Sequence, residues 1–109
     1  MYTMGANSKG NLGIGDKSTE SSPIPCLVES LIGQKACKVA CGYFHTVIAT
    51  DIGEVYSWGD CENGATAHNS KEPLYSPMQI SYFKDEQLFI KHISCGSRHT
   101  AFLSCKSII

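Results

Sequence analysis

The stretch VACGYFHTVIATDIGEVYSWG, residues 39–59, decides the fold of this chain. It contains two short β-rich runs, Thr46–Thr50 and Glu54–Trp58, which are joined by the tripeptide Asp-Ile-Gly at 51–53. A three-residue connection with a glycine is typical of a bulged β-hairpin, because glycine takes the left-handed conformation easily. The stretch therefore predicts two antiparallel strands.

Parts of this stretch recur in the chain at a constant offset of 54 residues. The motif Cys-Gly-x-x-His-Thr at 41–46 returns at 95–100, and Gly5 precedes Gly59 by the same interval. A repeat of about this length indicates a solenoid, a propeller or an array. Units of this kind bury their apolar faces against one another rather than alone. We place the first repeat at 2–55 and the second at 56–109.

Six further runs are β-rich or alternate apolar with polar residues, and Gly, Asn, Asp, Ser and Pro separate them. These predicted strands are Tyr2–Met4, Ile24–Val28, Cys37–Cys41, Met78–Tyr82, Phe89–Cys95 and Thr100–Ser104. No window of twelve residues has a sustained helical period, although Ser30–Lys35 has room for one helical turn before or around Gly33.

Four short antiparallel strands per repeat are the content of one propeller blade. We therefore predict an all-β fold, a partial β-propeller with one complete four-strand blade flanked by two half blades. The complete blade is predicted at 37–82 and straddles the sequence repeat. The outer two strands of the preceding blade are expected at 1–30, and the inner two strands of the next at 89–104.

The glycine-rich segment GANSKGNLGIGD at 5–16, Pro23 and the stretch at 39–59 together resemble the repeat of the regulator of chromosome condensation family. This resemblance implies seven-bladed propellers, of which the chain would hold about two repeats. The second copy departs from the pattern, because Thr-Ala-His-Asn-Ser at 66–70 replaces Leu-Gly-Ile-Gly-Asp at 12–16. We expect the second loop to differ in conformation, since it lacks those glycines.

Composition excludes several classes of function. The net charge is −1 with 17% charged residues, which leaves no electrostatic footprint for nucleic acid or an anionic membrane. The first ten residues lack the apolar segment of a signal peptide. We therefore expect a cytoplasmic or nuclear protein with six free cysteines, of which Cys61 and Cys105 lie nearest to solvent.

The repeated motifs favour structural roles over catalytic or ligand-binding ones. Gly5 and Gly10 have the spacing of a phosphate-binding loop, but the Lys and Ser or Thr that should follow are absent. The pairs Cys-x3-His at 41–45 and 95–99 could supply zinc ligands. We instead expect both histidines to be buried and bonded to main-chain groups. No catalytic, cofactor-binding or metal-binding residue is assigned, and no cofactor is expected.

Two function classes remain. A propeller presents loops on a rigid ring, which favours a protein–protein interaction module without enzymatic activity. The resemblance implies, as the alternative, a guanine-nucleotide exchange factor for a Ran-like small GTPase. The expected partners are another protein, a small GTPase among the candidates, and further propeller blades or a second copy of the chain. The candidate interaction residues are polar loop side chains: Lys17, Glu20, Asp60, Glu62 and His68.

Overall fold

A computed structural model describes residues 1–106, which form eight strands in three separate antiparallel sheets. The strands are β1 (Tyr2–Ala6), β2 (Ser21–Leu27), β3 (Ala36–Cys41), β4 (His45–Thr50), β5 (Val55–Gly59), β6 (Leu74–Gln79), β7 (Leu88–Cys95) and β8 (Thr100–Lys106). A 3₁₀ turn at Glu29–Leu31 follows β2, and a short helix, α1 (Tyr82–Asp85), follows β6.

The sheets have the predicted phase relative to the sequence repeat. β1 pairs with β2, β3 to β6 form a four-stranded meander, and β7 pairs with β8. We call these sheets the first half-blade, the complete blade and the second half-blade. The prediction of an all-β partial propeller with one complete blade is confirmed.

The hairpin between β4 and β5 forms as the stretch at 39–59 predicts. Gly53 has φ +85°, and its amide donates to the carbonyl of Thr50 at 3.2 Å. The strands are in register from His45 opposite Gly59 to Ala49 opposite Val55. The turn chemistry is local, so the sequence alone could specify it.

The core lies on both faces of the complete blade. All six residues of β4 are buried, since a half-blade covers each face of this strand. On one face Ile48 and Trp58 pack with Val28 and Leu31, which follow the first half-blade. On the other face, residues of β4 and β5 pack against side chains of the second half-blade, namely Ile90, Ile93, Cys95 and Phe102.

Most predicted strands differ from the observed ones at one or both ends, and the largest difference is in the last strand of the complete blade. The fourth strand of the complete blade is Leu74–Gln79 rather than Met78–Tyr82, and α1 begins at Tyr82. Phe83, the second residue of α1, packs on Phe102 at a centroid distance of 4.7 Å, so this helix contacts the second half-blade. Pro77 fits this strand because β6 is the outer edge of the sheet, where a missing amide leaves no ladder bond unmade.

Candidate functional site

The structure brings three of the five candidate interaction residues together. Asp60, Glu62 and His68 line one cleft of about 710 Å³ in the loop between β5 and β6. The other two, Lys17 and Glu20, are exposed on the loop between β1 and β2 and do not line this cleft. The assignment of these five residues to partner binding stays a prediction.

The loop between β1 and β2 is closed by one buried asparagine. The Asn7 amide group donates to the carbonyls of Asp16 at 3.1 Å and Thr19 at 2.8 Å. Its side-chain oxygen accepts from the amide of Leu12 at 3.1 Å. Because these three bonds join distant parts of the loop, the two arms are held together over their length.

The loop between β5 and β6 has a cysteine, Cys61, where the first repeat has Asn7. A thiol cannot donate to two carbonyls at once, and Cys61 instead accepts from the Thr66 hydroxyl at 3.0 Å. Cys61 is 5% exposed, so the prediction that it lies near solvent is wrong. Cys61 therefore makes no bridge of the kind that Asn7 makes, and it lines the cleft itself.

The expectation that this loop differs in conformation is wrong for its first half. The Gly10 amide donates to the Asn7 carbonyl, and the Gly64 amide donates to the Cys61 carbonyl, both at 3.1 Å. Ala67 has φ +62°, close to the +68° of its counterpart Gly13. The backbone therefore repeats the first turn with an alanine in a left-handed conformation, which costs about 1–2 kcal/mol for a residue with a Cβ.

The cleft combines charges of both signs. Lys9 and Lys71 line it together with the carboxylates of Asp60 and Glu62, although sequence reasoning had not selected either lysine. The Asp60 carboxylate accepts from the Glu62 amide at 3.1 Å, which fixes the acidic turn. Lys9 comes from the other repeat, so only the tertiary structure could associate it with this loop.

His68 connects the cleft to the outer strand of the complete blade. Its Nε2 atom lies 3.1 Å from the Met78 carbonyl in β6 and therefore carries the proton that it donates. This bond joins the loop to the outer strand of the sheet. The arrangement of charged and polar side chains on a fixed loop suits the binding of a polar protein surface.

Lys17 and Glu20 have different surroundings. The Lys17 ammonium lies 5.7 Å from the centroid of the Tyr75 ring, within the range of a cation–π contact. The Glu20 carbonyl accepts from the main-chain amide of Asn7 at 2.9 Å, so the main chain of Glu20 helps to close the loop. Hydrogen bonds from Ser18 and Thr19 lower the pKa of the neighbouring Asp16 to about 2.

The two repeated histidines differ in burial, so the prediction that both are buried is confirmed for His45 and wrong for His99. His45 is 2% exposed, and its Nε2 atom lies 2.9 Å from the Thr100 hydroxyl. Thr100 donates its single proton to the Ala65 carbonyl at 2.8 Å, so His45 Nε2 must be the donor. His99 is exposed, because no blade among residues 1–106 covers it.

Burial lowers the pKa of His45 below its usual value, since the charged imidazolium would lose hydration there. His45 therefore binds as the neutral tautomer with the proton on Nε2. Within residues 1–106, no three His, Cys, Asp or Glu side chains are grouped to hold a metal ion. In the same part of the chain, no helix has both the length and the apolar character that a membrane span requires.

Comparison with known families matches most of the chain to two copies of the same family repeat. The family model described as the regulator of chromosome condensation (RCC1) repeat matches residues 1–49 and 53–103. A second model with the same description matches residues 36–65.

Several curated proteins are similar in sequence. Human RCC1 domain-containing protein 1 is 37% identical over 78 residues, which are 72% of this chain and 21% of that protein. The RCC2 homolog of Xenopus laevis is 34% identical over 97% of this chain and 20% of its own length. The X-linked retinitis pigmentosa GTPase regulator of Canis lupus familiaris is 36% identical over 95% of this chain and 10% of its own length. The chain thus spans about a fifth or less of these relatives.

Solved structures share the fold. Prp20p from Saccharomyces cerevisiae, described with its binding properties to Gsp1p and histones, superposes with a TM-score of 0.80 at 19% identity. That alignment covers 94% of this chain and 26% of Prp20p. Yeast RCC1 (Prp20) bound to Kap60 gives a TM-score of 0.81 at 20% identity, over 94% of this chain and 25% of that one. At these identities the likeness establishes the fold alone.

Proposed function

The chain belongs to the regulator of chromosome condensation repeat family, and we propose that it is a protein–protein interaction module within a larger propeller. In this proposal the partner docks on the loop between β5 and β6. The module has no catalytic activity of its own and acts in the cytoplasm or nucleus. Its partner is a protein, with a small GTPase as one candidate.

The observation that carries this proposal is the cleft between the arms of that loop. It lies where the second repeat replaces Asn7 by Cys61, and it collects Asp60, Glu62, Lys9 and Lys71 around one opening. Charged pairs at the rim of an interface steer association and fix the orientation of the partner. Prp20p, which has the same fold, is described as binding Gsp1p and histones, and this supports a protein as the partner class.

The test is site-specific photo-crosslinking in cell extract. A photoreactive residue replaces Glu62 in one variant and Glu20 in the control variant, since both side chains are exposed on loops. We expect a discrete protein adduct from position 62 only. Excess wild-type chain should compete for this adduct, whereas excess Asp60→Asn/Glu62→Gln chain should compete at least about tenfold less well, because each of the two charge-assisted contacts contributes roughly 1–3 kcal/mol.

The matched competitor is the double variant Lys17→Gln/Glu20→Gln, which removes two charges from the loop that does not line the cleft. It should compete like the wild-type chain. Equal competition by the two double variants, or adducts of equal yield from positions 62 and 20, would rule out the cleft as the docking site.

A further inference from the structure

The two half-blades are complementary parts of one blade. The first half-blade, β1–β2, corresponds by the offset of 54 to β5 and β6 of the complete blade, whereas β7–β8 corresponds to β3 and β4. In the complete blade β4 and β5 pair directly. Among residues 1–106, β1 pairs only with β2 and β8 pairs only with β7, so each has one free edge.

We propose that copies of this chain associate head to tail, with β8 of one copy pairing antiparallel with β1 of the next to complete one four-stranded blade. This junction is an interface in addition to the proposed cleft and does not depend on it. Unpaired strand edges readily recruit another chain, and here the recruiting and recruited strands both belong to the same sequence.

The register follows from the pairs in the complete blade. There Thr46 lies opposite Trp58, and Ile48 lies opposite Tyr56. With the offset of 54, Thr100 comes opposite Met4 of the next copy, and Phe102 comes opposite its Tyr2. In the single chain Met4 is 59% exposed and Tyr2 is 66% exposed, so pairing would remove large apolar side chains from water.

Gly5 in β1 has the same positive φ as its counterpart in the complete blade, but in the single chain no atom occupies the space beside it. Gly5 has φ +110°, like the +104° of its counterpart Gly59. At Gly59 a Cβ would collide with the carbonyl of Phe44, but at Gly5 nothing lies within 4 Å. The counterpart of Phe44 is Arg98, so the proposed junction would place the Arg98 carbonyl of one copy against Gly5 of the next.

The residues expected to meet at the junction, Ala67 of one copy and Met4 of the next, suit each other better than Ala67 and a tryptophan would. A Cβ added at Gly13 would lie 2.6 Å from Nε1 of Trp58, so this tryptophan requires a glycine beside it. Ala67 is the counterpart of Gly13 and carries that Cβ, and the first half-blade has Met4 where the complete blade has Trp58. Methionine is unbranched and adapts to irregular space, so Met4 can pack beside Ala67 where tryptophan cannot.

The junction would also give His99 the hydrogen bond that its counterpart makes. His45 donates to the Thr100 hydroxyl of the next sheet. For His99 the equivalent acceptor is Thr46 of the next copy, whose own proton is donated to the Asn11 carbonyl at 3.0 Å. Its oxygen therefore has a lone pair left for the imidazole.

Head-to-tail contacts close into rings when the rotation between copies permits. Each copy contributes two blades, so two to four copies would give rings of four to eight blades, the usual range for propellers.

Sedimentation velocity of the 109-residue chain over a range of concentrations tests the proposal. We expect species heavier than the 11.8 kDa monomer. Met4→Trp should raise the dissociation constant about tenfold or more, because overpacking beside Ala67 costs about 1–3 kcal/mol. Ala67→Gly alone should still associate. The double variant Met4→Trp/Ala67→Gly should regain association, since it recreates the pair of Trp58 and Gly13.

The rescue distinguishes a lost contact from a misfolded chain, and circular dichroism checks the fold of each variant. Asp60→Asn/Glu62→Gln should associate like the wild-type chain, so failure of the cleft proposal and failure of this one can be told apart. If the chain is a monomer at every concentration, the free edges of β1 and β8 do not pair between copies, and the proposal is overturned. Unchanged association of Met4→Trp, or no rescue by Ala67→Gly, would overturn the register.

Discussion

At the residue scale, His45 makes stability depend on pH. Burial depresses its pKa in the folded chain relative to about 6.5 in the unfolded chain. The folded state therefore prefers the neutral imidazole, so its stabilising contribution is full above pH 6.5 and is lost as the pH falls through the folded pKa. We expect the midpoint temperature of unfolding to be lower at pH 5 than at pH 7.5.

The substitution His45→Gln should flatten this pH dependence even if it lowers stability at every pH. His92→Gln is the matched control, because His92 is exposed and should leave the slope unchanged. Thermal unfolding followed by circular dichroism measures both. A slope in His45→Gln equal to that of the wild-type chain would show that another group carries the pH dependence.

At the scale of elements, two equivalent threonines connect neighbouring sheets with different consequences. The Thr46 hydroxyl donates to the Asn11 carbonyl, which also accepts from Trp58 Nε1 at 2.9 Å. The Thr100 hydroxyl donates to Ala65 and accepts from His45. Removing Thr100 therefore leaves two groups unpaired, whereas removing Thr46 leaves its acceptor with a partner.

We expect Thr100→Val to lower the free energy of unfolding by about 2 kcal/mol and Thr46→Val by about 1 kcal/mol, because an unsatisfied polar group costs more than a lost bond. Valine keeps the shape of threonine, so the comparison isolates the hydroxyl. Urea unfolding at one low protein concentration measures both values. An equal or larger loss for Thr46→Val would mean that the bonds between sheets do not determine the cost.

At the scale of the whole molecule, the chain aligns with about a quarter of the Prp20p propeller. Nucleotide exchange, the alternative implied by the family resemblance, would need an extended surface to grip a GTPase and open its nucleotide site. We expect the 109-residue chain not to accelerate the release of labelled nucleotide from Ran, with a full-length exchange factor as the positive control. Accelerated release by the chain alone would instead establish exchange within about two repeats.

The sequence by itself determined the hairpin, the phase of the blade and all strands except the last of the complete blade, to within a few residues at their ends. These features depend on local turn chemistry and on a pattern that recurs every 54 residues, and both can be read without coordinates. The hairpin at Gly53 and the division into one complete blade and two half-blades followed directly. The last strand of the complete blade was misplaced, because Phe83 packs on Phe102 of another sheet, a contact that no local pattern indicates.

Only the tertiary structure decided which residues of each repeat are buried and which residues of different repeats lie together. His45 and His99 have the same motif, yet one is buried and the other exposed, because burial depends on the sheet that lies beside each of them. The cleft likewise required coordinates, since Lys9 and Asp60 belong to different repeats and come together only when the sheets stack. A local pattern specifies a blade, whereas the contacts between sheets specify which of its residues are buried and which remain exposed.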